Sequence, residues 1–337
     1  MNFFLISNFF SLFLQKKKYM NKKAIFYNED CVEGAKKHLN DNSVDLLICD
    51  PPFGIEEASF SKHYYREKNL VLEGYVQAPD DYYLFSYMWL EQCKRILKEN
   101  GSLVVISGWT NLRHVLNAIA DLKMHVHNHI IWKYNFGVFT KKKMVSSHYH
   151  VLHITKSKKS NFTFNTYCRF GFSEKTTEGR SLLYNDMEDV WVINKEYNPG
   201  EFKSINKLPE ELVKKLILYY SNEGDSVCDF FMGNFTTASC AKKLGRFVTG
   251  FELNEKAFKH FVPIIDEIKF GSDLKTLKKV NIDTPENQGK KLSEDEIFVI
   301  QEDFKELLKT NSKMESLQIL SKKYGRGRWS LERIIKR

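Results

Sequence analysis

The residues of this chain best suited to chemistry stand together at Asp50-Pro51-Pro52-Phe53, followed by Gly54. They come directly after Val44-Asp45-Leu46-Leu47-Ile48-Cys49, an apolar run of the kind that forms a buried strand. A strand running into a carboxylate, two prolines, an aromatic ring and a glycine makes a stiff loop at a sheet's carboxyl edge, where open α/β sheets bind ligands. The prolines fix φ and remove two backbone donors, leaving carbonyls aimed outward. Such a loop offers a planar amino group two hydrogen-bond acceptors and a ring to lie against. Read alone, the tetrapeptide also suits an ordinary strand-to-loop corner, since Asp-Pro-Pro occurs in turns.

A second segment adds a binding function. Asp225-Ser226-Val227-Cys228-Asp229-Phe230-Phe231-Met232-Gly233-Asn234-Phe235-Thr236-Thr237 reads as a short strand, a turn containing Gly233 and a helix start. The helix continues to Leu244 and stops at Gly245, and Arg246 to Glu252 reads as a further strand ending in an acid. Strand, glycine turn, helix, strand and acid is the order that sets a nucleoside cofactor against a helix N-terminus, with the acid accepting from ribose hydroxyls. Together the two segments resemble the amino-methyltransferases, which act on the exocyclic nitrogen of adenine or cytosine. Their cofactor motif usually reads D-P-F-x-G-S-G-T-T. This chain keeps Asp229, Phe231, Gly233, Thr236 and Thr237, and departs at Phe230, Asn234 and Phe235, losing a proline and one glycine.

The catalytic loop precedes the cofactor segment, as in the circularly permuted beta class of DNA amino-methyltransferases. Smaller matches follow that order. Tyr27-Asn28-Glu29-Asp30-Cys31 resembles the family's acid that contacts the cofactor's adenine. Leu90 to Gly101 reads as a helix ending in glycine, feeding the strand Leu103–Ser107. Lys207-Leu208-Pro209 resembles the K-P-x-x-L helix start, with Leu208 inserted. The resemblance covers roughly residues 20 to 270 and implies a doubly wound, Rossmann-like α/β methyltransferase sheet using S-adenosyl-L-methionine. It assigns Asp50, Pro51, Pro52 and Phe53 to catalysis. To the cofactor it assigns Asp30, Cys31, Asp50, Lys207, Leu208, Asp229, Phe231, Gly233, Asn234, Thr236, Glu252 and Leu253. The substrate it implies is double-stranded DNA with the target adenine flipped out for methylation at N6, since cytosine-N4 enzymes tend to carry serine where Asp50 stands. Cytosine-N4 or RNA methylation, and a non-catalytic DNA-binding protein on the same fold, are the competing readings. A cognate restriction endonuclease and a homodimer are the further partners the resemblance allows.

The elements that must position these residues are legible in outline. Strand-like runs recur at Ala24–Tyr27, Val44–Cys49, Leu103–Ser107, Ile130–Trp132, Tyr149–Ile154, Val227–Phe230 and Phe247–Phe251, with helical spacing between most of them. The expected division is an N-terminal extension (1–19, a disordered tail or an upstream start), a catalytic half (20–155), a target-recognition region (156–206), a cofactor half (207–270), a linker (271–291) and a helical module (292–337). Glu56 to Tyr83 is polar and aromatic and reads as a mobile flap over DNA or as a surface insertion. The recognition region reads as mixed short strands with basic residues, and its aromatics Tyr167, Phe170, Phe172 and Trp191 look exposed.

At 337 residues the chain can hold one full catalytic domain and a smaller one. Its net charge of +9 favours a polyanionic partner. Lys141, Lys142 and Lys143 are candidate phosphate contacts. The C-terminal helices resemble a helix-turn-helix module, with Arg326, Arg328, Arg333, Lys336 and Arg337 gathered near the last helix; a charge-solvated three-helix cap is the alternative. The six cysteines form no C-x-x-C pair and read as buried reduced thiols of a cytoplasmic protein. Phe3 to Leu14 is too short to span a membrane. His125, His127, His129, His148, His150 and His153 lack a completing carboxylate or cysteine, so no metal is expected.

Overall fold

The computed structural model describes residues 23–53, 79–135, 137, 141–142, 144–166, 168, 186–196, 207–274 and 292–335. The chain divides into two units, Met1–Lys279 and Val280–Arg337. Expectations for residues 1–19, for most of the flap, for Tyr167, Phe170 and Phe172, and for Lys143, Lys336 and Arg337 fall outside the described residues.

In the first unit the described strands are β1 (Ala24–Tyr27), β2 (Val44–Cys49), β3 (Leu97–Ser107), β4 (His125–Lys133), β5 (His148–Thr155), β6 (Val190–Val192), β7 (Ser226–Asp229) and β8 (Phe247–Phe251). They form one sheet in the order β1-β8-β7-β2-β3-β5-β4-β6. Only β5 runs antiparallel to its neighbours, β3 and β4. The helices are α1 (Cys31–His38), α2 (Tyr82–Ile96), α3 (Leu112–Asp121), α4 (Glu210–Tyr220), α5 (Thr236–Lys243) and α6 (Glu255–Glu267).

Alternation along β2 explains why the sheet is covered on both faces. Leu46 and Ile48 enter a core with Leu212 and Leu216 of α4 and Ala238 of α5. Leu47 and Cys49 enter the opposite core with Trp89 and Leu90 of α2 and Val115 of α3. A strand buried on both faces must be apolar throughout, and that is the run seen in the sequence. The exception, Asp45, takes Lys98 Nζ at 2.8 Å and the Ser226 backbone N–H at 2.9 Å, so it joins β2 to the starts of β3 and β7. Each fully buried leucine contributes about 1.5–3 kcal/mol, which holds the strand ends firmly enough to present loops.

Three expectations need correction. The helix read as Leu90 to Gly101 spans Tyr82–Ile96 instead, so the end of the flap segment is helix, capped by the Asp81 side chain on Leu84 N–H. Lys98 to Gly101 belong to β3, which pairs at Val44↔Leu97, shifts register, and resumes at Leu46↔Ser102. Their polarity suits an exposed irregular strand start as well as a helix end. Within the recognition region, Val190–Val192 adds to the sheet beside β4 as β6, and Trp191 is buried. Its indole N–H donates to the Glu188 carbonyl, and Lys215 Nζ of α4 lies 4.2 Å from its ring centroid.

The second unit contains α7 (Glu294–Leu307), α8 (Lys313–Tyr324) and α9 (Arg328–Ile335). Ser293 with Glu296 and Ser312 with Glu315 form capping boxes, and Gly325 closes α8 at φ 56°. Ile300, Phe304, Leu317, Leu320, Leu331 and Ile334 make its core. Among the described residues no helix is long and apolar enough to cross a membrane, and no group of three metal-ligating side chains occurs. All six cysteines are free, and five are buried.

Candidate active site

Strands β2 and β7 are hydrogen-bonded neighbours, paired at Leu46↔Val227 and Leu47↔Cys228. The loops at their carboxyl ends therefore meet, although far apart in sequence. Both line a single cavity of about 580 Å³.

The Asp50 loop is held by its carbonyls. Tyr82 Oη donates to the Pro52 carbonyl at 2.9 Å, and Asn111 Nδ2 donates to the Phe53 carbonyl at 2.7 Å. The Phe53 ring lies 5.2 Å from that of Tyr149 and backs onto Gly108, where an added Cβ would stand 3.4 Å from the ring. Asp50 Oδ1 is buried and has no hydrogen-bond partner among the described residues. Burial, reinforced by the nearby Asp229 charge and opposed by Lys195, pushes the Asp50 carboxyl up to about 8. An unsatisfied buried acceptor costs on the order of 1–3 kcal/mol, so such a group marks a place where a ligand donor is missing.

The β7 loop carries the other acids, each engaged by backbone. Asp229 accepts from Phe231 N–H at 2.8 Å. Burial raises its carboxyl to about 7 against the lowering effect of the Thr237 and Phe231 hydrogen bonds. Glu252, after β8, accepts from Gly233 N–H and from Asn254 N–H, both at 2.7 Å, so this one carboxylate closes the glycine turn onto the next strand. Burial raises its pKa, and those backbone bonds oppose the rise. Asp30 caps α1 by accepting from Val32 and Glu33 N–H at 2.9 and 3.1 Å.

Two of the chain's departures from the glycine-rich pattern, Phe230 and Phe235, turn their rings into the core. Phe235 stands at φ 57°, ψ 27°, the left-handed conformation that favours glycine. Its ring is fully buried away from the cavity, 5.2 Å from Phe26 and 5.8 Å from Phe261. Phe230 is also buried, edge-on to Phe251 at 5.5 Å.

Comparison with known proteins settles the family. The DNA methylase model, of the N6/N4 group, matches residues 44–263. The chain belongs to the DNA methylase family. It is 30% identical over 227 residues to the Type II methyltransferase M.HpaI of Haemophilus parainfluenzae, covering 66% of this chain and 68% of that one. It is 28% identical over 263 residues to the DNA adenine methyltransferase YhdJ of Escherichia coli K12, covering 72% and 82%. Among solved structures, TTHA0409 of Thermus thermophilus, in complex with S-adenosyl-L-methionine, superposes with a TM-score of 0.50 at 19% identity, covering 72% and 93%. That similarity supports the methyltransferase fold.

Of the residues singled out in the sequence, Asp30, Cys31, Asp50, Pro51, Pro52, Phe53, Lys207, Leu208, Asp229, Phe231, Gly233, Asn234, Thr236, Glu252 and Leu253 all line the cavity. Cys31 and Leu208 contribute buried apolar wall. Lys207 is paired with Glu196 at 3.2 Å. Lys141 and Lys142 are exposed. Arg326 is a correction: it is 5% exposed, so its guanidinium serves the interior of the second unit rather than a phosphate. Arg333 is exposed, and half-buried Arg328 meets Glu332 through Nε at 3.1 Å. Tyr149, of the Ser147-His148-Tyr149-His150 stretch that the sequence places near the target base, lines the cavity too, as do Lys195 and Trp132, which went unread. Lys195 follows a strand too short to show periodicity.

Proposed function

We propose that this protein is a site-specific DNA methyltransferase that moves the methyl group of S-adenosyl-L-methionine to N6 of an adenine flipped out of duplex DNA. The single observation that carries the reading is Asp50 Oδ1, a buried acceptor without a donor in the wall of a cavity that also holds the glycine turn. Support for adenine comes from the Asp-Pro-Pro-Phe sequence and from the relative named an adenine methyltransferase.

The residues present fit the cofactor. Buried Asp229, half-buried Glu252 and exposed Asp30 supply carboxylates for hydroxyl and ammonium donors, and Phe231 and Leu253 supply apolar wall for a nucleobase. When bound, the cofactor supplies a methyl made electrophilic by its sulfonium. The adenine amino group is a poor nucleophile because its lone pair is delocalised, so the protein's task is to position it and stabilise charge growing on nitrogen. Asp50 accepts one N–H through its carboxylate, and Pro51 accepts the other through its carbonyl. Phe53 lies against the base. The incoming donor replaces the partner that Asp50 lacks and favours its ionised form. Because the target lies inside the helix, the base must leave the stack first. Exposed Lys141, Lys142 and Arg333, with half-buried Arg328, are proposed phosphate contacts, and a nuclease reading the same sequence is a proposed partner.

DNA from a host expressing the wild-type protein, sequenced with modification-sensitive reads, should show N6-methyladenine at one recurring sequence. The Asp50→Ala protein should leave that sequence unmodified while binding S-adenosyl-L-methionine within a few-fold of wild type. Retained methylation with tenfold weaker cofactor binding, equivalent to about 1.4 kcal/mol, would move Asp50 out of the target site.

A further inference from the structure

Of the tryptophans whose burial is described, Trp89, Trp132 and Trp191 are at most 6% exposed, whereas Trp109 is 79% exposed. Single apolar side chains on a surface are common, so the placement of this one carries the argument. Strands β2 and β3 run parallel and pair as far as Cys49↔Val105. The turn after β3 therefore stands at the same carboxyl edge as the Asp50 loop. Trp109 occupies that turn between two residues that touch Phe53. Gly108 precedes it, and a Cβ added there would stand 3.4 Å from the Phe53 ring. Asn111 follows, and its Nδ2 donates to the Phe53 carbonyl at 2.7 Å.

Asn111 is also the N-cap residue of α3, yet its side chain makes no capping bond. The helix forgoes a cap that asparagine is well suited to give, and the amide ties the turn to the catalytic loop instead. Trp109 is not among the residues lining the cavity. Its indole thus stands outside the pocket, on a turn fixed to the pocket's wall. Strand β4 runs in the same direction as β3, because β5 is antiparallel to both. Exposed Lys133 at the end of β4, exposed Lys141 and Lys142 in the connection to β5, and exposed Arg113 in the first turn of α3 consequently share this edge. A flat aromatic among cations suits a nucleic acid, with a base for the ring and phosphates for the charges.

An adenine that leaves the helix uncovers two neighbours, its partner thymine and the next base along the strand. Resting on the flipped-adenine reading above, we propose that Trp109 is a duplex-contacting residue that stacks on one of these uncovered bases. The stack offsets part of the cost of opening the duplex and so favours the flipped state. It touches neither the cofactor nor the reacting nitrogen.

The test uses the full chain with S-adenosyl-L-homocysteine and a duplex carrying the recurring methylated sequence. 5-Iodouracil, replacing the partner thymine or placed in the next pair, cross-links on irradiation to an aromatic ring stacked on it. The wild-type complex should cross-link to the peptide containing Trp109 from one of the two positions, and that position identifies the base. Trp109→Ala should bind the duplex about five- to a hundredfold more weakly, the range for one base–aromatic stack, and keep wild-type cofactor affinity. Trp109→Phe should recover most of the lost binding. The log–log salt slope should be the same in all three proteins, because no phosphate contact is removed. Cross-links that map away from Trp109, or an alanine variant with wild-type duplex affinity, would overturn the proposal. A wild-type protein that leaves the adenine of the duplex unmethylated would instead refute the adenine reading itself.

Discussion

Replacing Phe235 should invert the usual ranking of alanine and glycine. Its fully buried ring packs against Phe26, Phe258 and Phe261. Removing such a ring costs about 3–5 kcal/mol, and Phe235→Ala and Phe235→Gly both incur that loss. They differ in backbone. At φ 57° alanine keeps a left-handed strain of about 1–2 kcal/mol, which glycine relieves. Against this, glycine's larger unfolded-state entropy costs about 0.4–1 kcal/mol relative to alanine. The difference leaves Phe235→Gly more stable than Phe235→Ala by roughly 0.5–1 kcal/mol, although both fall well below wild type. Urea unfolding of the full chain, followed by tryptophan fluorescence and far-ultraviolet dichroism, would measure both variants. Because Phe235 is absent from the cavity wall, S-adenosyl-L-methionine affinity of the folded variants should stay within a few-fold of wild type. An alanine variant as stable as the glycine variant, or more so, would refute the argument that this position retains a glycine backbone under a phenylalanine side chain.

Glu252→Ala should weaken cofactor binding and leave turnover recoverable at saturating cofactor, because the same side chain closes the Gly233 turn; calorimetry with a cofactor titration of the rate checks it, and a rate that saturation does not restore would remove Glu252 from that role. Ligand-free stability should depend on pH in two directions. Burial, aided by neighbouring imidazoles, lowers His150 from 6.5 to about 4 and His153 to about 3, so these groups favour the folded state above 6.5 and lose that contribution as pH falls toward 4. Asp50 at about 8 and Asp229 at about 7 instead hold protons that the unfolded chain has released, so stability declines as pH rises from about 4 to 8. Between pH 6.5 and 8 the carboxyls act without the histidines, and Asp50→Asn should flatten the decline measured there by chemical denaturation; an unchanged slope would contradict it. Replacing Arg328 and Arg333 together with alanine should lower the log–log salt slope of DNA binding by about 0.9 for each phosphate no longer neutralised, and identical slopes would favour a purely structural second unit.

Much of the site was legible because its signals are local. Asp50 to Phe53 and Asp229 to Thr237 each follow a continuous apolar strand, and their residue types limit the backbone to a few shapes. The features that escaped are set by tertiary partners. Trp191 looked exposed but is buried, because Val190–Val192 pairs with β4 and Lys215 and the Glu188 carbonyl accommodate its ring. Arg326 looked like part of a basic surface, yet its turn folds it into a small unit whose compactness leaves little room outside. Phe235 looked like damage to a glycine turn, and only its dihedrals and neighbours show an exchange of backbone ease for core packing.

The strand order has a consequence for how the protein comes into being. Among the described strands β1 is made first, and there its sheet neighbour is β8 alone. Asn28 reaches the Glu252 carbonyl across 224 residues of chain, and Asp45 reaches Ser226 across 181. At about 5–20 residues per second of synthesis, the opening strand waits roughly 10–45 s for its partner. The entropic cost of closing such long loops grows only logarithmically, but the search is slow. A nascent chain ending before β7 carries the complete Asp-Pro-Pro-Phe sequence but lacks Asp229, Gly233 and Glu252, which line the same cavity. The two halves of the cavity wall thus come together late, only after the segment from Asp229 to Glu252 has been made.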